Sequence, residues 1–222
     1  MEREQGNDPC NTMHRPTRPI IGIVGGIASG KSLVADAFEQ HGAAVISADK
    51  LAHEVLKFEE VKQKARQRWG DVIFNADGEV DRAAMAKIVF ASPPNGPRER
   101  EYLEQLIHPE VGRLVQQRLA ALQQDASHSA IVLDVPLLVE SGWNRLCDRV
   151  VYVDAPRDQR LEHAQARGWS EHDFDQREAA QHGLDVKREQ ADLVIDNSKT
   201  PQEVGEQVAS ICRSLADEFS RN

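Results

Sequence analysis

Pro19-Ile20-Ile21-Gly22-Ile23-Val24-Gly25-Gly26-Ile27-Ala28-Ser29-Gly30-Lys31-Ser32 runs from an apolar segment through a glycine-rich turn into a polar one. Residues 25–32 fit the pattern G-x-x-x-x-G-K-[ST], which holds phosphate groups for physical reasons. Glycines let the backbone curl with its N–H groups turned inward, as a nest for anionic oxygens. A helix that begins there points its positive end at the same spot. Lys31 can reach the outer phosphates, and the Ser32 hydroxyl suits Mg²⁺. The flanks agree: residues 20–24 read as a buried strand, and residues 33–38 continue as an amphipathic helix with Val34 and Phe38 four apart on one face. A glycine turn that matched by chance would lack that setting. Gly25, Gly26, Ile27, Ala28, Ser29, Gly30, Lys31, Ser32 and Leu33 are therefore the candidate nucleotide-binding segment.

Composition narrows the classes. A chain of 222 residues with 40% hydrophobic and 28% charged residues fits one globular domain, or one domain with a sizeable insertion. A net charge of −9 argues against general nucleic-acid or anionic-membrane binding, so an anionic ligand needs a local positive site. Three scattered cysteines (Cys10, Cys147, Cys212) without a C-x-x-C suggest a reducing compartment and no zinc. No apolar run approaches the ~18 residues of a membrane span, residues 1–17 read as a disordered polar tail rather than a secretory signal, and a cytoplasmic protein is the expectation.

Further along, residues 31–40 are expected as a helix with Gly42 at its C-terminal end. Residues 43–47 form a second strand leading into Asp49, and residues 50–128 a mostly helical insertion broken at His108-Pro109. Strands follow at 130–133, ending in Asp134, at 149–153, ending in Asp154, and at 192–195, ending in Asp196-Asn197. Between the last two, residues 157–167 read as a charged helix. Residues 201–219 close the chain as a helix whose Val204, Val208, Ile211 and Leu215 belong to the core. About five short Val- and Ile-rich strands alternating with helices predict a parallel sheet covered on both faces. Its ligands sit beyond the carboxyl ends of the strands, where Gly25, Asp49, Asp134, Asp154 and Asn197 fall.

Phosphoryl transfer needs a phosphate cradle, a metal, a positioned hydroxyl with a base, and positive charge for the transition state. Asp134 suits a magnesium ligand acting through water, or a strand-end cap. Asp49 suits a general base, or an N-cap for the next helix. Arg160, His163 and Arg167 share one helix face, which suits a basic lid or an ordinary solvated surface.

These residues in this order resemble the dephospho-coenzyme A kinases from Pro19 to about Phe219. The resemblance rests on residues 25–32, Val45-Ile46-Ser47-Ala48-Asp49, Gly78-Glu79-Val80-Asp81-Arg82, Ile88-Val89-Phe90, Leu106-Ile107-His108-Pro109, Val135-Pro136-Leu137-Leu138-Val139-Glu140, Ala179-Ala180-Gln181 and residues 191–198. It implies an α/β fold with a P-loop NTPase-type parallel sheet over 18–49 and 129–222, a helical substrate-binding insertion over 50–128 and a lid over about 157–180. It implies transfer of the γ-phosphate of ATP, with Mg²⁺, to the ribose 3′-hydroxyl of dephospho-CoA, with no nucleic acid, membrane or obligate protein partner. Asp49, Lys31 and Arg167 become the expected catalytic residues, Asn197 joins the ATP site, and Arg82 and His108 are expected to touch the acceptor. Ser47 stands where the family has an acidic residue, Leu33 where it has Thr, and His163 where an Arg is expected. Another small-molecule or nucleoside monophosphate kinase, or a non-catalytic nucleotide-binding protein, is the alternative. A GTPase switch would carry an Asn-Lys-x-Asp signature, which the chain lacks.

Overall fold

The computed structural model describes residues 18–220 apart from 180 and 182, so the tail expected over 1–17 lies outside the described residues. Among the described residues five strands form one parallel sheet: β1 (Ile20–Gly25), β2 (Ala44–Ser47), β3 (Ile131–Asp134), β4 (Arg149–Asp154) and β5 (Leu193–Asp196), ordered β2-β3-β1-β4-β5. Because β3 and β4 flank β1, the order of the strands reverses beside β1, and a crevice opens at the carboxyl end there. The register places Ile23 and Ser47 on either side of Asp134. The strand-end carboxylate thus faces the crevice between loop and second strand.

Side chains alternate across β1 as the pleat demands. Ile21 and Ile23 meet α1 (Lys31–Gln40) and α9 (Pro201–Ser220), where Val34, Phe38, Val204, Val208 and Leu215 are buried. Val24 turns to the opposite face, against α2 (Ala48–Val55), α3 (Glu59–Trp69), α4 (Arg82–Val89) and α5 (Asn95–Gln124). The helical insertion therefore forms the second covering layer, and one continuous core joins Ile46 and Leu133 of the sheet to Val55, Val89 and Val115 of the helices. Each buried side chain of this kind stabilises the fold by about 1.5–3 kcal/mol. The described residues also include α6 (Arg157–Ala166), α7 (Glu171–Ala179) and α8 (Leu184–Glu189).

One boundary differs from expectation. The break expected at His108-Pro109 is absent, and α5 runs unbroken over 30 residues with Pro109 inside it. Proline costs a helix one internal hydrogen bond. Here Val111, Val115 and Leu119 pin the downstream half to the core, and Pro109 itself is solvent-exposed, so packing outweighs the local penalty.

Candidate active site

The loop between β1 and α1 has the expected curl. Gly30, the residue before α1, has φ +90°, and a Cβ there would lie 2.1 Å from Nδ2 of Asn197, so only glycine fits. Ala28 also takes a left-handed conformation, φ 57°, which costs a residue with a Cβ about 1 kcal/mol. No side chain caps α1, so its first N–H groups stay free to meet an anion. Three braces hold the loop from behind. Asn197 Nδ2 donates to Ser29 O at 2.7 Å. The ring of His163 meets Ala28 O at 3.1 Å, which requires the tautomer with a proton on Nδ1 because a carbonyl only accepts. Arg160 packs against Gly26, where a Cβ would fall 2.9 Å from its guanidinium.

In front of the loop lies a cleft of about 400 Å³, lined by residues 27–32 together with Asp49, Asp134, Arg167, Trp169, Arg177 and Gln181. That size is within the range of small-molecule sites. Lys31 reaches over the loop, donating to Gly26 O at 3.1 Å and Gly25 O at 3.4 Å. Burial lowers its pKa to about 8, with help from the nearby cations Lys187 and Arg167 and against the pull of Asp134 and Asp49. Burial also raises the pKa of Asp134, and among the described residues its carboxylate has no hydrogen-bond or ion-pair partner. A desolvated, unpartnered carboxylate sharing the cleft with the Ser32 hydroxyl is a hard oxygen donor set of the kind Mg²⁺ takes, so the residues fit that ion.

The structure separates the two readings of Asp49. The N-cap of α2 is Ser47, whose side chain accepts from Lys50 N at 3.5 Å, and Asp49 lies in the first turn. Ser47, where the resemblance leads one to expect an acid, thus has an ordinary capping role. Asp49 is exposed in the cleft, and its carboxylate has no partner among the described residues. The basic face of α6 divides as well. Arg160 is 3% exposed, its Nε donates to Ala155 O, and its guanidinium pairs with Glu178 of α7. It belongs neither to a solvated surface nor to the cleft, because its charge is held by a carboxylate 18 residues away. Arg167 remains as the exposed cation facing the loop.

Gly25, Gly26, Leu33 and Asn197 do not line the cleft. Asn197 acts through the loop backbone. Arg82 is exposed at the start of α4, close enough to His53 of α2 to lower its pKa alongside burial. His53 is one turn beyond Asp49 on α2, and Arg82 itself does not line the cleft. His108 is exposed on α5 and does not line the cleft. A larger groove, about 610 Å³, lies between α3 and α5, but it has no phosphate-binding backbone. Sequence reasoning gave no role to Trp169 and Arg177, whose guanidinium stacks 4.1 Å from the indole at the cleft wall. Only the fold brings the two together.

A parallel sheet in this order, with a lysine-bearing glycine loop at its switch point, is the architecture of a P-loop kinase. An Acinetobacter baumannii shikimate kinase shares the fold, with a TM-score of 0.51 at 14% identity over 90% of this chain and 95% of that one. The family is narrower: a family model described as dephospho-CoA kinase matches residues 19–203, and the chain belongs to that family. A dephospho-CoA kinase of Bacillus licheniformis is 39% identical over 81% of this chain and 88% of its own length. One of Carboxydothermus hydrogenoformans is 38% identical over 87% and 92%. A solved Thermus thermophilus structure superposes with a TM-score of 0.70 at 31% identity, covering 89% of this chain and 97% of that one. The chain is thus an ATP-dependent kinase, a phosphotransferase.

Proposed function

We propose that this chain transfers the γ-phosphoryl group of ATP to the ribose 3′-hydroxyl of dephospho-CoA, in the cytoplasm and with Mg²⁺. The observation that carries the site assignment is the unpartnered Asp49 carboxylate sharing one cleft with the loop and Lys31. The N–H groups of residues 25–32 and Lys31 hold the β- and γ-phosphates. Ser32 and Asp134 would hold the metal, and the ion would supply positive charge against the phosphate oxygens. Asp49 takes the proton from the 3′-hydroxyl as its oxygen attacks. Arg167 sets positive charge against the transferring group, and α6 and α7 over the loop keep out water that would hydrolyse ATP. On the acceptor side, Arg82 meets an anionic part of dephospho-CoA. The cytoplasmic assignment is supported by the absence, among the described residues, of any helix long and apolar enough to cross a membrane, and by the sparse cysteines.

The test is ATP consumption with and without dephospho-CoA, with product mass read in parallel. Acceptor-dependent consumption and a product heavier by one phosphate are expected. ATP consumption that ignores dephospho-CoA but responds to a nucleoside monophosphate would overturn the substrate.

A further inference from the structure

Behind the cleft sits a charged cluster that the mechanism above does not use. Lys187, on α8, is 2% exposed. A buried ammonium is costly unless its donors are satisfied. This one forms an ion pair with Glu140 Oε1 at 3.0 Å, in the segment after β3, and donates to Gln181 Oε1 at 2.8 Å. Gln181 follows α7 and also lines the cleft. Lysine has donors only, so the carboxamide must turn its oxygen to Lys187. Its nitrogen, with two N–H donors, is then the free end. No described residue accepts from it.

We propose that Gln181 contacts the substrate, its amide N–H groups binding the terminal phosphoryl group of the nucleotide, and that Lys187 is a positioning residue that fixes the carboxamide in that orientation. A cation on the amide oxygen polarises the group and strengthens its N–H donors. The contact adds direction without adding charge beside Lys31 and Arg167, which already supply it. Glu140, beyond the end of β3, holds the ammonium, so Gln181 offers its donors from a fixed base. The inference rests on the cleft holding a triphosphate tail.

The test uses the full chain, titrated calorimetrically with β,γ-imido-ATP and with ADP in the presence of magnesium. Q181L removes the donors and is expected to weaken β,γ-imido-ATP about 10–100-fold, the usual worth of a hydrogen bond to a charged group, while ADP affinity stays within about twofold. Q181E still accepts from Lys187 but offers the phosphate an anion in place of a donor. It is expected to lose at least as much affinity for β,γ-imido-ATP while its melting temperature holds or rises. A structural role alone would leave Q181E neutral. K187M is expected to repeat the loss of Q181L, with no further loss in the double variant. Retained β,γ-imido-ATP affinity in both Gln181 variants, or equal loss of both nucleotides, overturns the proposal. Wild-type protein that binds β,γ-imido-ATP yet does not phosphorylate dephospho-CoA would sink the acceptor assignment alone, and the Gln181 comparison would still decide this contact.

Discussion

Lys31 is held at an energetic cost to the fold, and K31M exposes it. Burial, with Lys187 and Arg167 nearby, brings its pKa from 10.5 to about 8. That gap of about 2.5 units, at about 1.36 kcal/mol each, amounts to about 3 kcal/mol. The sign follows from proton binding: the unfolded chain holds this proton more tightly, so the penalty is fully present below about pH 8 and gone above about pH 10.5. K31M escapes it but loses the bonds to the carbonyls of Gly25 and Gly26, roughly 1 kcal/mol each. At about pH 7 the variant is expected to be about 1 kcal/mol more stable than wild type while losing most activity. By about pH 9.5 the wild type regains about 2 kcal/mol and the order reverses. Urea unfolding of both proteins at the two pH values measures this, because titrations elsewhere cancel in the difference. A stability difference that does not change with pH would refute the reasoning.

D49N is expected to lower turnover about 10²–10⁴-fold while ATP affinity measured by calorimetry is kept; unchanged turnover removes Asp49 from the base role. G30A puts a Cβ 2.1 Å from Asn197 at φ +90°, so a loss of at least about 1–3 kcal/mol is expected in chemical unfolding, together with weaker nucleotide binding. R160M strips Ala155 O and Glu178 of their donor. It is expected to lower the melting temperature by a few degrees, at about 2–4 °C per kcal/mol for a chain of this size, and to speed amide exchange in α6 and α7.

The loop, the five strands and the place of Asp49 in the cleft were legible in the sequence because each signal is local: a spaced motif, short Val- and Ile-rich runs, an acid at a strand end. What escaped is nonlocal. Pro109 reads as a helix break until Val111, Val115 and Leu119 are seen against the core. Arg160 reads as solvated, since nothing within a helical turn of it announces Glu178 on the next helix. Ser47 reads as a lost acid because its bond to Lys50 N, a weak local cue, competes with the stronger claim of Asp49 to the same cap. Lys187, Glu140 and Gln181 are scattered along the chain and meet only at the rear of the cleft.

Ala28 belongs to two structures at once: it is part of the phosphate loop, and it is buried with Ala164 of α6 and Phe174 of α7 in a small cluster to which Ile27, Leu161 and Trp169 add. Swinging the two helices away would expose Phe174, at a cost of about 1.5–3 kcal/mol. The glycine turn and its two flanking helices are thus joined by a small greasy seam as well as by the polar braces of His163 and Arg160.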